Sequence, residues 1–370
     1  MTPTDRQPLG LGIVGCGGAA AELVRAAAGS VFVRIVALHD VVAARAQELA
    51  GTSGSRIHAS LSDLLEDPGV DAAYVSLPHD LLAATAVAAL DAGRHVLIEK
   101  PLAIDAAGLR SIRVAAERAG LEVGVMFELR AVASVAAARE LVAAGAIGDI
   151  RSVRIRTLID KPATYWTAGP SGRGSDPWRA RRQRAGGGVV LMNTIHQLDL
   201  VRWIAGLEVA RVAAETAAGI AGVDVEDVAA ATFRYTNGAI GSLVAAAHAP
   251  GAAGEETVEF DGTAGALRLG DPYGAAPDLR IHLRRAHGRH RAGRWIRIRP
   301  AAADAWAVTL DAFAAAIQAG RAPEPGLDDG AAALTTVLAL YRAAASGHSV
   351  TVPPPGSSEP PIADDPAPDP

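Results

Sequence analysis

Of the 35 lysine and arginine residues in the chain, only Lys100 and Lys161 are lysines. Lys100 stands in His95-Val96-Leu97-Ile98-Glu99-Lys100-Pro101, a short apolar run that reads as a buried strand. The amine emerges at the strand's carboxyl end, where ligands sit in open parallel sheets. It could donate a hydrogen bond or handle a proton there, or be a solvated strand-end lysine. A second candidate is His196. The spacing of Met192, His196, Asp199, Leu200 and Trp203 makes this segment an amphipathic helix. An imidazole takes and returns a proton near neutral pH, although a lone histidine on such a helix is also compatible with packing or capping. Asp199, an i,i+3 neighbour, reads as a structural group orienting it. The third constellation is Gly15-Cys16-Gly17-Gly18-Ala19-Ala20, directly after Leu-Gly-Leu-Gly-Ile-Val. It matches G-x-G-x-x-G/A with Ala20 in the last place. Gly15 permits a tight turn, Gly17 lets backbone approach a pyrophosphate, Ala20 permits close helix packing, and the amides of the helix start would hold phosphates. Asp40 ends the next apolar run, placed to bond ribose hydroxyls. Val41 and Val42 follow with no immediate arginine for a 2′-phosphate, so the spacing reads as NAD in preference to NADP. Compact turn chemistry is the alternative reading in a chain this rich in glycine.

The elements that must position these residues are legible in the pattern. From Leu9 to about Phe127, apolar runs alternate with alanine-rich helical stretches near 18–28, 43–50, 80–92 and 105–119. That alternation predicts βαβ units and a doubly wound parallel sheet. After about residue 130 the pattern changes. A helix over Val132–Ala144 leads to strand-like RSVRIRTLI, then to alternating segments such as ATFRYTNGAIGSLVAA, where Asn237-Gly238 predicts a type I′ hairpin. Similar alternation in EETVEFDGTAGALRL, LRIHLRR and RWIRIRP predicts a largely antiparallel sheet, with final helices near 304–319 and 328–346. From Pro353 on, the chain is rich in proline and acidic residues without a single basic one, and is expected to be disordered.

Composition narrows the class. At 370 residues the chain exceeds one ordinary core and suits two domains. Its single cysteine, Cys16, excludes a disulfide framework and a cysteine-rich zinc site. No His, Asp and Glu grouping has metal-ligand spacing, so no metal is expected. Residues 9–21 imitate a signal peptide, but the leader's Arg6 is balanced by Asp5 and the run is glycine-rich. A cytoplasmic address is expected. The net charge of −5 offers no pull toward polyanions. The basic stretch Arg280 to Arg299 reads as a hairpin with a wet arginine face, not a nucleic-acid or membrane contact.

HVLIEKPLA, together with GIVGCGGAA upstream, resembles the Gfo/Idh/MocA oxidoreductases, the family of glucose–fructose oxidoreductase and inositol dehydrogenase. The likeness continues through AAGAIGDI (143–150), GGGVVLMNTIHQLDLVRWIAG (186–206), VEDVAAATFRYTNGAIGSL (225–243), FDGTAGALRL (260–269) and DAFAAAIQAGRAP (311–323), spanning about residues 9–352. The resemblance implies a Rossmann domain over 1–128 and an α/β domain with a large open, mostly antiparallel sheet over 129–352, serving substrate binding and oligomerisation, before a tail at 353–370. It implies NAD(P)-dependent hydride transfer to or from a secondary alcohol or ketone of a sugar or polyol, in a homodimer or homotetramer. Lys100 and His196 match the family's catalytic lysine and histidine. Gly15, Cys16, Gly17, Gly18, Ala19, Ala20, Asp40, Pro78, His79, Glu99 and Lys100 fall on the cofactor side. Tyr165, Trp178, Arg179, Asn193 and His196 fall on the substrate side. The chain departs from the family twice. Met192 stands where an aspartate often precedes the histidine by four, which argues against a Lys/Asp/His triad, and Asn193 resembles a Met-Asn variant whose amide can bond a substrate hydroxyl. In Pro78-His79-Asp80-Leu81-Leu82, leucine replaces the final histidine of P-x-x-x-H, weakening the expectation of nicotinamide contacts from that loop.

Oxidising a secondary alcohol requires a proton acceptor and reducing a ketone a donor, help worth ~10²–10⁴ in rate. Histidine does this untuned, whereas the pKa of a lysine must first be lowered. His196 is therefore expected to take the proton and Lys100 to hydrogen-bond the reacting oxygen, with exchanged roles as the alternative. This expectation requires amine and imidazole to converge on one substrate oxygen. Tyr165-Trp166, Trp178-Arg179 and the run Arg181, Arg182 and Arg184 suit a sugar ring or an anionic group on it. A solvated loop, or a grip on the phosphate of a nucleotide sugar, are the other readings. Two rivals remain at the level of function: a non-catalytic regulator sensing NAD or a sugar, and a reductase of a non-carbohydrate carbonyl.

Overall fold

The computed structural model describes residues 7–169, 176–220, 222–252, 255–272 and 278–354. Most of the expected tail, from position 355 on, lies outside the described residues. The chain divides into two compact units. The first comprises Met1–Glu128, Thr167–Trp178 and Trp306–Gly330, and the second Leu129–Trp166, Arg179–Ala305 and Ala331–Pro370.

In the first unit the elements run β1 (Leu9–Val14), α1 (Gly18–Ala27), β2 (Val33–His39), α2 (Ala43–Ser53), β3 (Arg56–Ile57), α3 (Leu61–Glu66), β4 (Ala72–Val75), α4 (His79–Asp91), β5 (His95–Ile98), α5 (Ala106–Ala119) and β6 (Val123–Val125). The short strand β3 and helix α3 are additional to those the pattern predicts. Asp105 caps α5 by accepting the Gly108 amide at 2.8 Å, and a left-handed Gly120 ends it. All strands are parallel, in the order β3-β2-β1-β4-β5-β6. The order reverses between β1 and β4, so the crevice beyond their carboxyl ends is the expected ligand position. Strands β1 and β4 are buried along their whole length, which explains their continuous apolar sequences.

The rest of the chain runs α6 (Ala133–Ala143), β7 (Ile150–Leu158), α7 (Ala163–Ala168), α8 (Arg182–Ala185), a π turn (Val190–Thr194), α9 (Ile195–Ala205), β8 (Val209–Ala217), β9 (Val228–Tyr235), β10 (Ile240–Ala246), β11 (Glu255–Gly262), β12 (Gly265–Gly270), β13 (Asp278–Leu283), β14 (Trp295–Ile298), α10 (Ala305–Gln318), which from Trp306 on belongs to the first unit, α11 (Leu327–Ser346) and β15 (Val350–Thr351). Boundaries between the units fall within α7, α10 and α11. Nine strands run in the order β14-β13-β12-β11-β7-β10-β9-β8-β15. Only the β7–β10 pair is parallel. Alternate residues of β9 and β10 are buried, as one-sided burial of an antiparallel sheet requires, and α9 packs against β7 and β11. The β13–β14 pairing places Leu279, Ile281 and Leu283 inside and leaves Arg280 and Arg297 exposed.

The β9–β10 hairpin forms, but its turn is not type I′. Only Gly238 has positive φ, at 85°, whereas type I′ needs two such residues. Tyr235 N bonds Ala239 O at 3.0 Å and Gly238 N bonds Tyr235 O at 2.9 Å, a three-residue loop with glycine in the left-handed position. Asn237 is occupied otherwise. Its Oδ1 accepts Ala239 N at 2.9 Å and its Nδ2 donates to Ile150 O at 3.1 Å.

Candidate active site

Gly15 adopts φ +91°, and a Cβ there would lie 2.2 Å from Ser76 O, so both backbone and space demand glycine. Gly17 is the opposite case: an added Cβ meets nothing within 4 Å, and the chain there borders open space. It is the N-cap of α1 without a side-chain cap, so Gly18, Ala19 and Ala20 present first-turn amides that lack intrahelical acceptors. Ala20 itself is fully buried. Cys16 contributes its amide, which donates to Asp40 Oδ2 at 2.7 Å. Its thiol is buried and pushed up to about 12, by burial first and then by the Asp40 charge. Val42 N donates to Asp40 Oδ1 at 2.7 Å. Two amides thus hold the carboxylate still, and each oxygen retains a lone pair for a ribose hydroxyl. Arg45 Nη1 stands 3.8 Å from Asp40 Oδ1. Val41 and Val42 give no sign of it in the sequence, because it is the first turn of α2 that brings position 45 back to the strand end.

On the same edge of the sheet, Pro78 is the N-cap of α4 and His79 its first residue, buried. The His79 ring lies 4.5 Å from that of Trp178. Trp178, expected with the substrate residues, belongs to the first unit. Glu99 Oε1 accepts from the buried Tyr74 hydroxyl at 2.5 Å. Burial pushes the Glu99 carboxyl up, while the Tyr74 bond and the Lys100 charge pull it down. Glu99 is thereby anchored to β4, and half-buried Lys100 follows it, with a cis bond to Pro101. A nicotinamide dinucleotide fits this edge: open backbone at Gly17 and free first-turn amides for phosphate, an ordered carboxylate for ribose, and an amine at the end of β5.

In the second unit His196 is the second residue of α9 and only 4% exposed. Its neighbour Gln197 donates to Glu256 Oε2 at 2.8 Å, and both are buried. The sequence reading gave Asp199 the role of orienting His196. In the structure both its oxygens take up the guanidinium of Arg130, at 2.8 and 2.5 Å, a buried bidentate pair. This pair ties α9 to the turn before α6. Asn193 lies in the π turn and is half-buried, while every other residue from Gly187 to Val201 is buried. Tyr165 in α7 is buried and directs its hydroxyl to Met192 Sδ at 3.5 Å. Met192 lies in the π turn, four residues before His196. Arg179 Cζ and Lys161 Nζ lie 5.5 and 4.6 Å from the Tyr165 ring centroid. Burial pushes the Tyr165 hydroxyl up against the opposing Arg179 charge, and burial pulls Arg179 down. The second lysine therefore has a place beside the predicted substrate residues. Arg181 and Arg182 are exposed and Arg184 is half-buried.

Sequence reasoning passed over Glu226 and Tyr341, which brace the start of the His196 helix. Glu226 accepts Gly188 N at 2.7 Å and Val190 N at 3.0 Å. A Cβ at Gly187 would lie 2.1 Å from the Tyr341 hydroxyl, and one at Gly188 would lie 1.8 Å from Glu226 O. The run of three glycines, visible in the sequence, was the available signal.

Comparison with known proteins matches residues 9–127 to the oxidoreductase family with an NAD-binding Rossmann fold, and residues 135–268 to the GFO/IDH/MocA C-terminal domain. The chain is 32% identical to 1,5-anhydro-D-fructose reductase of Ensifer adhaerens, over 92% of this chain and 98% of that protein. It is 31% identical to levoglucosan dehydrogenase of Pseudarthrobacter phenanthrenivorans, over 70% of this chain and 73% of the relative. A solved structure of levoglucosan dehydrogenase in complex with NADH and levoglucosan superposes with a TM-score of 0.81 at 25% identity, covering 94% of this chain and 100% of that one. The nucleotide-binding edge, the two-sheet architecture and these matches together make the chain an oxidoreductase of the Gfo/Idh/MocA family.

Proposed function

We propose that the protein transfers a hydride between a nicotinamide cofactor and a secondary alcohol or ketone of a sugar or polyol, with NAD preferred. The observation that carries this reading is the first unit's sheet edge, where open backbone at Gly17, the ordered Asp40 carboxylate and Lys100 occur together. The bound nicotinamide supplies the hydride chemistry. The residues do the rest. The first-turn amides of α1 hold the pyrophosphate, and Asp40 orients the adenosine ribose. Lys100, with the Glu99 carboxylate as counter-charge, donates a hydrogen bond to the reacting oxygen, and His196 takes or returns its proton. Asn193 bonds a substrate hydroxyl, and Tyr165 and Arg179 face the sugar. NAD preference follows from Asp40, whose charge opposes a 2′-phosphate, while Arg45 is a counter-ion at 3.8 Å that moderates this. The homo-oligomeric state and cytoplasmic address expected from the sequence belong to the same proposal.

The test is an assay of 1,5-anhydro-D-fructose with reduced cofactor, and of levoglucosan and inositol with oxidised cofactor, each in NAD and NADP form. Turnover of one sugar is expected. In Lys100→Ala and His196→Asn, kcat should fall by ~10²-fold or more while NADH binding persists. Unchanged turnover in either variant refutes the role given to that residue. Tight NADH binding with no turnover of any sugar would favour a sensing protein.

A further inference from the structure

A helix start leaves its first amides without intrahelical acceptors, and burial makes each of them costly. In the helix that carries His196, the first i to i−4 bond runs from Met192 N to Gly188 O at 2.8 Å. The amides of Gly188, Val189, Val190 and Leu191 therefore need outside partners, and two residues distant in sequence supply them all. Glu226 Oε2 accepts Gly188 N at 2.7 Å, Oε1 accepts Val190 N at 3.0 Å, and the Glu226 backbone oxygen accepts Val189 N at 3.0 Å. Leu191 N donates to the Tyr341 hydroxyl at 3.2 Å, and that hydroxyl donates to Glu226 Oε1 at 2.7 Å. The carboxylate also lies at the helix end where the backbone dipole favours negative charge.

The backbone fixed in this way runs directly into the π turn Val190–Thr194. Such turns close their hydrogen bonds over five residues where an α-helix uses four, and they recur at functional sites. The turn holds Asn193, and His196 follows it. We propose that Glu226 and Tyr341 are positioning residues, setting Asn193 and His196 by capping all four leading amides of their helix. This rests on the assignment of His196 as the group that handles the substrate proton. Glu226 and Tyr341 act through backbone, from the segment before β9 and from α11, so one helix start is referenced to two separate elements.

Tyr341→Phe keeps the ring and removes the hydroxyl. Glu226→Gln keeps the shape but offers the amides one good acceptor. Three measurements on the full-length variants test the proposal: hydrogen exchange of peptides covering 188–196, the NADH dissociation constant, and kcat with its isotope effect using reduced cofactor deuterated at the transferred position. The sugar is whichever one turns over in the panel above. The expected result is faster exchange in 188–196, NADH affinity within about twofold, kcat lowered ~10- to 100-fold, as small displacements of catalytic groups produce, and an isotope effect raised because hydride transfer becomes the slow step. A role in stability alone would lower the melting temperature and leave the isotope effect unchanged, which overturns the proposal. Unchanged exchange in both variants overturns it as well. His196→Asn separates the two readings. If that variant keeps wild-type turnover, the assignment of His196 and the proposal fall together. If it is inactive while both positioning variants match wild type in kcat and isotope effect, the proposal alone falls.

Discussion

At the scale of single residues, the site is built from side chains whose freedom has been removed. Asp40 illustrates this, since both its oxygens already hold backbone amides. Asp40→Asn should weaken NAD binding roughly 10- to 100-fold, as loss of a charge-assisted bond does. It should narrow the preference over NADP, because the repelling charge is gone while Arg45 remains. Titrating both cofactors by fluorescence checks this, and an unchanged NAD/NADP ratio removes Asp40 from discrimination. Asp67 is held just as firmly, by Gly69 N at 2.8 Å, His58 Nε2 at 2.9 Å and Arg56 Nη2 at 2.6 Å. Burial pushes its carboxyl up, but these three partners outweigh burial and hold it below the usual range. A depressed carboxyl stabilises the fold above its unfolded value and loses that contribution as pH falls through the folded one. Asp67→Asn should therefore cost about 1–3 kcal/mol at neutral pH. The gap in melting temperature from wild type should close as pH drops below 3.8, the ordinary value.

At the scale of elements, the segment that carries His196 is held at three points: its leading amides at 188–191 by Glu226 and Tyr341, the flank of α9 by Arg130 on Asp199, and its sheet-facing side by Gln197 on Glu256. The Arg130–Asp199 pair is nearly fully buried. Breaking one partner strands a charge, so Arg130→Met should destabilise the protein by about 3–5 kcal/mol. Replacing both partners, as Arg130→Met with Asp199→Leu, should recover much of that loss. Denaturant midpoints decide the matter, and additive losses in the double variant contradict it. The amphipathic spacing around His196 made this helix legible in the sequence. Its partners were not, because Arg130, Glu226 and Tyr341 lie far away in the chain and carry no local pattern.

At the scale of the molecule, the nucleotide-binding unit is not one continuous stretch. Leu310, Phe313 and Ala314 of α10 belong to the same buried core as Leu11, Ile13, Leu23 and Leu38. Phe313 lies so close to β6 that a Cβ on Gly124 would be 2.6 Å from its ring. Val125 N also bonds Pro325 O at 3.1 Å. A fragment ending at Glu128 loses these contacts, and each buried Leu or Phe contributes about 1.5–3 kcal/mol. Expressed alone, residues 7–128 should be loosely folded and bind NADH poorly, and should gain order when a peptide spanning 305–330 is added. Well-dispersed amide resonances from the fragment alone would show that α10 is dispensable.

The sequence by itself determined whatever depends on neighbours in the chain. The parallel sheet follows from apolar runs spaced by helices, the second sheet from two-residue alternation, and the turn at Gly15 and the acid at the strand end, Asp40, from their offsets along one βαβ unit. Tertiary structure decided whatever depends on contacts between distant segments. Arg45 returns to Asp40, Tyr74 anchors Glu99, Asp199 engages Arg130, and Gly187 and Gly188 prove to be small because Tyr341 and Glu226 press against them. Periodicity encodes which face of an element is buried. Which polar partner waits on that face is set by packing alone, since a buried carboxylate or amide must be satisfied by whichever chain segment the fold brings within hydrogen-bond reach.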